Sequence, residues 1–388
     1  MRKFFKWALR IIIALAVAAV VVGLWKREEI GRLLAVNSLF AEDRIVDNFS
    51  NMDAAFLNVP VPRGSGDVVP LPAGPAMQLP DDAADWIADR SVTSLVVLHR
   101  GQVVFEDYYL GTEAGDRRIS WSVAKSFLSA LVGVVLAEGQ IASLDDPVTK
   151  YAPSLAGGAY DDASIRDVLQ MSSGVTFDED YLDYDSDINR MGRVLALGGS
   201  MDDFAAGLTE TFAEPGTDWQ YVSIDTHVIG MVIRGATGRS VADLLSEKII
   251  SPLGLEADPY YLTDGFGVAF VLGGLNLTTR DYARFGQMIA QDGQWNGQQI
   301  VPGGWIDVST RASAPTETDE HGYGYQWWIP PQSGLGQVMA RGIYGQYIWI
   351  DRARNIVIAT TAADRQFREA GVGRQNEDMF RAIADSLE

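Results

Sequence analysis

The hydrophobic periodicity of this chain changes twice, and this change restricts its folds more than any other feature. Apolar residues alternate with a period of two from about residue 91 to 120 and again from about 323 to 363, which is typical of β-strands. From about 140 to 300 they recur every three or four residues, which is typical of helices. We therefore predict one sheet built from both ends of the chain, a mostly helical lobe, and a ligand cleft between them.

Local signals divide these regions further. Arg100-Gly101 separates two β-branched runs and predicts a hairpin, as does "DRARN" at 351–355. The run "SVAKSFLSALVGVVLAEG" is apolar on nearly every side, which predicts a buried helix from about residue 122 to 138 that Gly139 ends. The last segment, "NEDMFRAIADSL", has the spacing of an amphipathic helix.

The first 27 residues are predicted to be a membrane anchor or an uncleaved signal. Residues 4–25 are almost entirely apolar, and a helix of about 22 residues is about 33 Å long, enough for a hydrocarbon core. A cleavable signal peptide has a similar composition, but no A-x-A site directly follows this run. Basic residues precede the span, which favours a body outside the cytoplasm, in the periplasm.

Residues 28–90 are predicted to be a proline-rich tether that wraps around the body. Six of the 15 prolines fall close together in this segment, and proline favours extended, irregular backbone. These are Pro60, Pro62, Pro70, Pro72, Pro75 and Pro80. The remaining residues, 91–388, are predicted to form a single domain, because no repeated or low-complexity tract divides them.

Composition excludes several classes of function. The net charge is −20 although the first 27 residues are basic, so a nucleic acid is not an expected partner. The absence of cysteine excludes disulfides, a cysteine nucleophile and thiolate metal sites. The three histidines, His99, His227 and His321, lack metal-ligand spacing. We therefore expect neither a metal nor an organic cofactor.

The strongest chemical signal is the heptapeptide "WSVAKSF" at 121–127. It holds Lys125, one of only six lysines, inside an apolar helix and three positions after Ser122. Residues three apart lie on one helix face, so the amine can reach the hydroxyl. Burial lowers the pKa of a lysine, and a neutral amine can take the serine proton and activate a nucleophile. The Ser122 N–H, unpaired at the helix start, can also bind a developing oxyanion.

Other interpretations of this motif remain open at the level of sequence. A serine three residues before a lysine occurs by chance, and a partly buried lysine can extend its ammonium to solvent or pair with a carboxylate. Neither Lys150 nor Lys248 has such a serine, however, and burying an unpaired ammonium is costly. A Ser-His-Asp nucleophile is less favoured, because the chain contains no G-x-S-x-G motif.

Several longer stretches, in order along the chain, resemble the serine β-lactamase and penicillin-binding protein superfamily, particularly class C β-lactamase-like esterases and 6-aminohexanoate-dimer hydrolases. The resemblance covers roughly residues 40–385 and rests on "SWSVAKSFLSALVGVVLAEGQIASLDDPVTKYAP", "IRDVLQMSSGV", "EPGTDWQYVSIDTHVIGMVI", "GGLNLTTRDYARFGQMI" and "ARGIYGQYIWIDRARNIVIATT". It implies an α+β fold of the β-lactamase/transpeptidase type, with an antiparallel sheet flanked by helices and a mostly helical lobe. The N-terminal transmembrane helix is added to that fold.

The resemblance implies a second catalytic element at Tyr221-Val222-Ser223, which looks like the family's Y-x-S. The Tyr221 phenol would share the Ser122 proton, acting as base toward the serine and as acid toward the leaving group. Ser223 would lie on the substrate side of the site. Without the resemblance, a lone tyrosine is more simply a core aromatic with a bonded hydroxyl.

The third element of lactamases, K-T-G, is matched in position by Ala340-Arg341-Gly342. The lysine that helps to hold the lactam carboxylate is absent, so efficient β-lactam hydrolysis is not favoured. The backbone role does not need that side chain. By resemblance, the N–H of Ile343 beside Gly342 would join the N–H of Ser122 as the oxyanion-binding pair.

Two further stretches would shape the pocket. The acidic stretch "DEDYLDYDSD" at 178–187 could attract the amino end of a substrate, with Tyr181 lining the site, although a solvated loop or an incidental calcium site explains its charges equally well. In "YGYQWWIP" at 323–330, Trp327 and Trp328 face opposite sides of a strand. One of them can line the cleft, while core packing is the simpler role for both.

The predicted function is hydrolysis of a small-molecule amide or ester through an acyl-enzyme on Ser122, with Lys125 and Tyr221 moving the proton. A D-Ala peptidase or a weak β-lactamase is the alternative among enzymes. A catalytically silent module that binds cell wall or a partner is the alternative from another class, and the intact serine, lysine and tyrosine disfavour it.

Overall fold

The computed structural model describes residues 2–317, 320–331, 334 and 336–387. The helices are α1 (Arg2–Trp25), α2 (Arg27–Ser38), α3 (Ile45–Ser50), α4 (Met52–Ala55), α5 (Ala83–Asp89), α6 (Ala124–Ala137), α7 (Ile165–Leu169), α8 (Asp187–Ala196), α9 (Met201–Ala206), α10 (Ser223–Thr237), α11 (Val241–Leu245), α12 (Ser251–Leu253), α13 (Thr279–Ala290), α14 (Gly303–Ser309) and α15 (Val372–Asp385). The strands are β1 (Asn58–Pro60), β2 (Val92–His99), β3 (Gln102–Tyr108), β4 (Arg118–Ile119), β5 (Tyr260–Leu262), β6 (Leu275–Leu277), β7 (Gln294–Trp295), β8 (Gln298–Gln299), β9 (Gly322–Tyr323), β10 (Trp328–Ile329), β11 (Gln337–Gly342), β12 (Gln346–Asp351) and β13 (Ile356–Ala362).

Seven antiparallel strands form the main sheet, in the order β3-β2-β13-β12-β11-β10-β9. The pairing of β2 with β13 joins the two strand-rich ends of the chain, so the predicted common sheet is confirmed. The predicted hairpin at Arg100-Gly101 is also present. Both residues have positive φ, 52° and 78°, which matches the twist that a two-residue hairpin needs. The second predicted hairpin joins β12 to β13.

The main sheet carries a different helical layer on each face, because successive side chains of a strand point to opposite sides. On one face α13 lies so close that a Cβ added to Gly286 would be 2.6 Å from both Ile348 Cγ2 and Val357 Cγ1. On the other face, Trp86 of α5 and Phe380 of α15 pack edge to face with ring centroids 5.9 Å apart. The sheet is therefore the middle layer of the molecule.

The helical lobe contains α7 to α12, as the periodicity predicts, but α13 lies within the predicted range of 140–300 and does not belong to it. This helix packs on β12 and β13 of the main sheet, because Gly286 allows the close approach. The structure also contains a four-stranded antiparallel sheet, β1-β5-β6-β4, which the periodicity does not predict. Strands of two or three residues are too short to show alternation, so they form through tertiary pairing. The helix predicted from about residue 122 is α6, which a 3₁₀ turn at Trp121–Val123 precedes, and Gly139 follows its end with a φ of 75°.

The segment before Pro60 corrects the prediction of an extended tether over 28–90. α2, α3 and α4 are helical because the clustered prolines begin only at Pro60 and leave the preceding backbone free to form helix. Ile45, Phe49 and Met52 are buried in the main core, and β1 pairs with β5. This segment is therefore part of the body, while the proline-rich stretch that follows is mostly irregular, as predicted.

The first helix, α1, has the properties of a membrane span. Its segment Phe4–Trp25 has a mean hydropathy of 2.5, and none of it is buried within the protein. By length and composition it is able to cross a membrane, and an N-terminal signal sequence shares these properties. Only Lys26 separates α1 from α2, and α2 is fixed to the body by Arg32, whose Nε donates to the carbonyl of Ala196 at 2.7 Å.

Candidate active site

Ser122 and Lys125 meet at the start of α6. Ser122 lies in the 3₁₀ turn before this helix, and Lys125 lies in the first turn of α6. Their side chains approach because residues three apart lie on one helix face, and Lys125 Nζ is 2.9 Å from Ser122 Oγ. The structure therefore brings together the two residues of the S-x-x-K motif at hydrogen-bond distance.

Lys125 is enclosed by the protein, with 1% of its surface exposed. Besides contacting Ser122, it donates to Ser223 Oγ at 3.2 Å and to the carbonyl of Leu272 at 3.0 Å. Burial lowers the pKa of Lys125 to about 7, while the charges of Glu179 and Asp225 act in the opposite direction. A large fraction of the amine is therefore neutral near pH 7 and able to accept a proton from Ser122.

Tyr221 lies beside this pair. Its ring centroid is 5.1 Å from Lys125 Nζ, and its ring stacks on Trp328 with centroids 5.2 Å apart. Burial raises the pKa of Tyr221 above its usual value, although contact with the Ser122 side chain lowers it. Tyr221 is therefore a neutral phenol, which can relay a proton between groups but is not ionised in the resting site.

Glu179 belongs to the site, although no sequence motif indicates it. Its carboxylate accepts hydrogen bonds from the Ser223 N–H at 3.0 Å, from the Ser223 hydroxyl and from the Tyr181 hydroxyl at 2.6 Å. These bonds fix Ser223 and Tyr181 next to the serine–lysine pair. The only sequence signal was the acidic stretch at 178–187, in which no spacing marks one acid among its neighbours.

Asp225 is a second carboxyl near the site that the sequence did not indicate. It is fully buried on α10 and accepts hydrogen bonds from the Tyr160 hydroxyl at 2.7 Å and from the Ser173 hydroxyl at 2.9 Å. Burial raises its pKa to about 7 despite these bonds. Its place two residues after Ser223 on a helix was the only signal, and this spacing has no chemical meaning by itself.

The end of strand β11 passes directly over the nucleophile. A Cβ added to Gly342 would be 2.7 Å from the carbonyl oxygen of Ser120 and 3.1 Å from the backbone nitrogen of Ser122, so only glycine fits at this crossing. Ile343 follows at the start of a 3₁₀ turn, Ile343–Gly345, and borders the same space as Ser122. Ser122 and Ile343 are therefore adjacent in space, and their role as the oxyanion-binding pair stays a prediction.

Two cavities meet at Ser122, and Tyr181 and Ile343 border both. We call the smaller one, about 140 Å³, the apolar chamber. Its wall is mainly aliphatic and aromatic, including Leu39, Phe40, Met52, Phe56 and Phe270. We call the larger one, about 740 Å³, the polar cleft. A substrate with its reacting carbonyl at Ser122 would therefore extend into two chemically different spaces.

Charged side chains line the polar cleft. Arg341, Arg368 and Arg374 reach it, together with Glu179 and Glu369. The Arg341 guanidinium lies over the Trp328 ring, 5.5 Å from its centroid, while Trp327 is buried in the core. Of the two tryptophans, Trp328 is the one that lines the cleft.

The acidic stretch at 178–187 is held by several internal bonds. Asp180 pairs with Arg368 at 3.0 Å, and Asp187 pairs with Arg190 at 2.8 Å. Asp183 accepts from the backbone N–H of Asp185 at 2.9 Å. These acids therefore already have partners, and attraction of a substrate's amino end by the stretch stays a prediction.

Comparison with known proteins gives consistent relatives. The sequence profile of a family described as "Beta-lactamase" matches residues 83–377. A 6-aminohexanoate-dimer hydrolase from Paenarthrobacter ureafaciens is 32% identical over 297 residues, 73% of this chain and 75% of that protein. A Bacillus anthracis protein assigned as a 6-aminohexanoate-dimer hydrolase has a solved structure with a TM-score of 0.79, 25% identity, and coverage of 90% and 96% of the two chains. A D-stereospecific amidohydrolase from Streptomyces shares the fold, with a TM-score of 0.59, 21% identity, and coverage of 76% and 98%.

The fold and the serine–lysine pair define the class as a serine hydrolase of the S-x-x-K type, so the predicted fold and enzyme class are confirmed. The sequence profile matches most of the chain, and the Paenarthrobacter hydrolase is 32% identical over 73% of it. This chain therefore belongs to the β-lactamase family.

Proposed function

We propose that this protein hydrolyses an amide or ester bond of a small molecule through an acyl-enzyme formed on Ser122. The observation that carries the proposal is the 2.9 Å contact between Lys125 Nζ and Ser122 Oγ. Burial lowers the pKa of this lysine to about 7, so the amine can serve as a base under ordinary conditions.

Acylation would begin when neutral Lys125 takes the Ser122 proton, directly or through the Tyr221 hydroxyl. Ser122 Oγ then forms a bond to the substrate carbonyl carbon, and the carbonyl oxygen becomes an oxyanion. The Ser122 and Ile343 N–H groups would donate to that oxygen. The bond to the leaving group breaks as Tyr221 donates a proton to the departing nitrogen or oxygen and is reprotonated by Lys125.

Deacylation would repeat these steps with water in place of the leaving group. Lys125 and Tyr221 take a proton from water, and its oxygen attacks the acyl carbon. The bond to Ser122 Oγ then breaks as the serine regains its proton, which releases the acid product. Glu179 supports both halves by fixing Ser223 and Tyr181 beside the reacting groups.

The similarity to 6-aminohexanoate-dimer hydrolases favours a linear amide among the substrates. The polar cleft supports this choice for the leaving group, because Arg341 and Arg374 border it and a guanidinium can bind a carboxylate in two-point geometry. β-Lactams are disfavoured, because Ala340 stands where lactamases carry the lysine of K-T-G.

We further propose that α1 anchors the protein in a membrane with the hydrolase body in the periplasm. The length and hydropathy of Phe4–Trp25 support anchoring. The four basic residues before and at the start of the span support an outward orientation of the body: Arg2, Lys3, Lys6 and Arg10.

Labelling and turnover together test the hydrolase proposal. We expect a fluorophosphonate to add one covalent group to Ser122, detected by mass spectrometry. Hydrolysis of p-nitrophenyl acetate should be lost in Ser122→Ala and in Lys125→Met. Linear aminohexanoate amides, D-amino-acid peptides and nitrocefin then separate amidase, peptidase and lactamase activities.

The control is the Lys150→Met variant, because Lys150 is an exposed lysine paired with Asp146 at 2.8 Å and lies outside the S-x-x-K motif. It should react like the unmodified protein. A folded protein that neither carries the Ser122 adduct nor shows Ser122-dependent turnover would contradict the proposal and favour a binding module.

A further inference from the structure

The apolar chamber has a composition unlike that of the polar cleft. No charged side chain is among the described residues that border it. Its volume of about 140 Å³ is close to that of an engineered apolar cavity of about 150 Å³ that binds benzene. The chamber therefore has room for about six carbon atoms, and its wall favours a group without charge.

The polar atoms on the chamber wall are mostly engaged with the protein itself. The Asn189 amide donates to three carbonyls, of Asp180, Tyr181 and Asp183, at 3.4, 3.1 and 2.7 Å. The Tyr181 hydroxyl donates to Glu179 at 2.6 Å. A substrate ammonium or carboxylate in this space would lose its hydration without gaining an ionic partner, which disfavours it strongly.

The position of Tyr221 decides which part of the substrate enters the chamber. A proton donor to the leaving group must lie on the leaving group's side of the reacting carbonyl. Tyr221 borders the polar cleft and is not among the described residues that border the chamber. The leaving group therefore extends into the polar cleft, and the acyl group extends into the chamber.

Part of the chamber wall comes from outside the region that the family profile matches. Val36, Leu39, Phe40, Met52 and Phe56 precede residue 83, where that match begins. Phe40 also stacks on Tyr344, with ring centroids 4.7 Å apart and an interplanar angle of 12°. Tyr344 directly follows Ile343, whose N–H is the proposed oxyanion donor. This N-terminal segment thus closes the acyl side of the site.

We infer that the enzyme selects an uncharged aliphatic acyl group of about six carbons. The inference rests on the proposed acyl-enzyme chemistry and adds the acyl-group class to it. A hexanoyl group fits the chamber by volume and polarity, whereas the terminal ammonium of a 6-aminohexanoyl group would lie in its uncharged part. The chain would then share its reaction with the aminohexanoate relatives and differ from them in its acyl preference.

Three p-nitrophenyl esters test this inference on the full-length protein in mild detergent: the acetate, the hexanoate and the 6-aminohexanoate. Each rate is corrected by the rate with Ser122→Ala. We expect kcat/KM for the hexanoate to exceed those for the acetate and the 6-aminohexanoate by about tenfold or more. A 6-aminohexanoate turned over as fast as the hexanoate would overturn the inference.

Gly192 offers a variant that fills the chamber. It borders the chamber within α8, and a Cβ added to it meets no heavy atom within 4 Å. Gly192→Leu should therefore lower the hexanoate-to-acetate ratio of kcat/KM by about tenfold or more, while leucine favours the helix. The matched control is Gly304→Leu, at an exposed glycine of α14 whose Cβ also meets no atom within 4 Å; it should leave the ratio unchanged.

The outcomes separate the two proposals. Loss of Ser122-dependent turnover for all three esters would contradict the hydrolase proposal itself. Ser122-dependent turnover with an unchanged ratio in a folded Gly192→Leu protein would contradict the acyl preference alone. Circular dichroism establishes folding, and if that variant is unfolded, the comparison of hexanoate with 6-aminohexanoate on the unmodified protein decides.

Discussion

The burial of Lys125 affects the proposed catalysis and the folding stability in opposite directions. Its amine must be neutral to act as a base, and burial that lowers its pKa to about 7 achieves this. The same burial costs folding free energy, because an ammonium must be desolvated or neutralised when the chain folds. In the proposed mechanism, activity and folding stability therefore depend on the burial of this residue with opposite signs.

We expect the kcat/KM of ester hydrolysis to rise with pH through an acid limb near pH 7. Below that pH, Lys125 is protonated and is unable to accept the Ser122 proton; above it, the amine is neutral and the rate reaches a plateau. A pH–rate profile between about pH 5 and 9 with a neutral ester measures this. A profile that is flat across this range would show that no group with a pKa near 7 acts as the base.

We expect Lys125→Met to raise the melting temperature while it abolishes turnover. The folded pKa of about 7 lies below the ordinary value of 10.5, so the lysine destabilises the fold fully below about pH 7. This cost declines as the pH rises from about 7 to 10.5, because the unfolded chain then binds more protons than the folded one.

The stabilisation by Lys125→Met should therefore be larger at pH 7 than at pH 10, as measured by thermal unfolding. Lys150→Met is the control, since exposed ion pairs contribute little to stability. A lower melting temperature for Lys125→Met at pH 7 would mean that the three hydrogen bonds of the amine outweigh its desolvation.

The sequence indicates Ser122 and Lys125 because their spacing has chemical meaning, whereas it indicates Tyr221 only through the resemblance of Tyr221-Val222-Ser223 to a family motif. The sequence does not indicate Glu179, because its place in the site depends on the path of a loop. This path brings it to Ser223, which lies 44 residues later in the chain. Contacts of that separation follow from tertiary structure and leave no local pattern in the chain.

At the scale of elements, the crossing of β11 over the start of α6 determines the geometry of the site. Trp121, directly before the nucleophile, has a φ of 43°, a left-handed conformation that is rare for a bulky residue. Its ring lies among the rings of Phe49 and Tyr344, at 5.5 and 6.4 Å between centroids. Aromatic packing therefore accompanies a strained turn that sets the direction of Ser122.

We expect Gly342→Ala to lower kcat/KM by roughly 10² to 10³, the usual cost of losing one oxyanion donor. The new methyl group would contact Ser120 O and Ser122 N at 2.7 and 3.1 Å, so β11 must move away from the helix start. Ester hydrolysis and circular dichroism measure the effect. Gly304→Ala, at an unobstructed exposed site, is the control, and a Gly342→Ala rate within about threefold of normal would contradict the assigned oxyanion geometry.

Long elements were predictable from the sequence, and short ones were not. The hairpins and α6 show clear periods over several residues, whereas β4, β5 and β6 contain two or three residues each. Such strands form because neighbouring segments complete their hydrogen bonds. Their positions therefore depend on partners elsewhere in the fold and not on their own sequence.

At the scale of the whole molecule, the N-terminal segment after α1 links α1, the core and the site. Leu39, Phe49 and Phe56 are buried, and β1 completes the small sheet. The sequence predicts a tether here, because its prolines favour irregular backbone and no local pattern indicates a partner for the apolar residues before Pro60. Their partners are distant in the sequence: Phe49 packs against Trp121 and Tyr344, and α2 packs against α8 of the helical lobe.

We expect deletion of residues 1–26 to give a soluble protein that still hydrolyses p-nitrophenyl acetate, because α1 has no buried part in the body. Deletion of residues 1–60 should prevent folding. Each large apolar side chain that loses its burial costs roughly 1.5–3 kcal/mol, and several together match a typical domain stability. Solubility, circular dichroism and esterase assays compare both forms; a folded, active form without residues 1–60 would contradict this structural role.

The one-residue joint between α1 and α2 restricts how the enzyme could meet its substrates. In the proposed anchored state, the short joint and the contact of Arg32 with Ala196 would keep the body close to the bilayer surface. Amphiphilic substrates could then reach the enzyme by lateral diffusion in the adjoining leaflet, as well as by collision from bulk water.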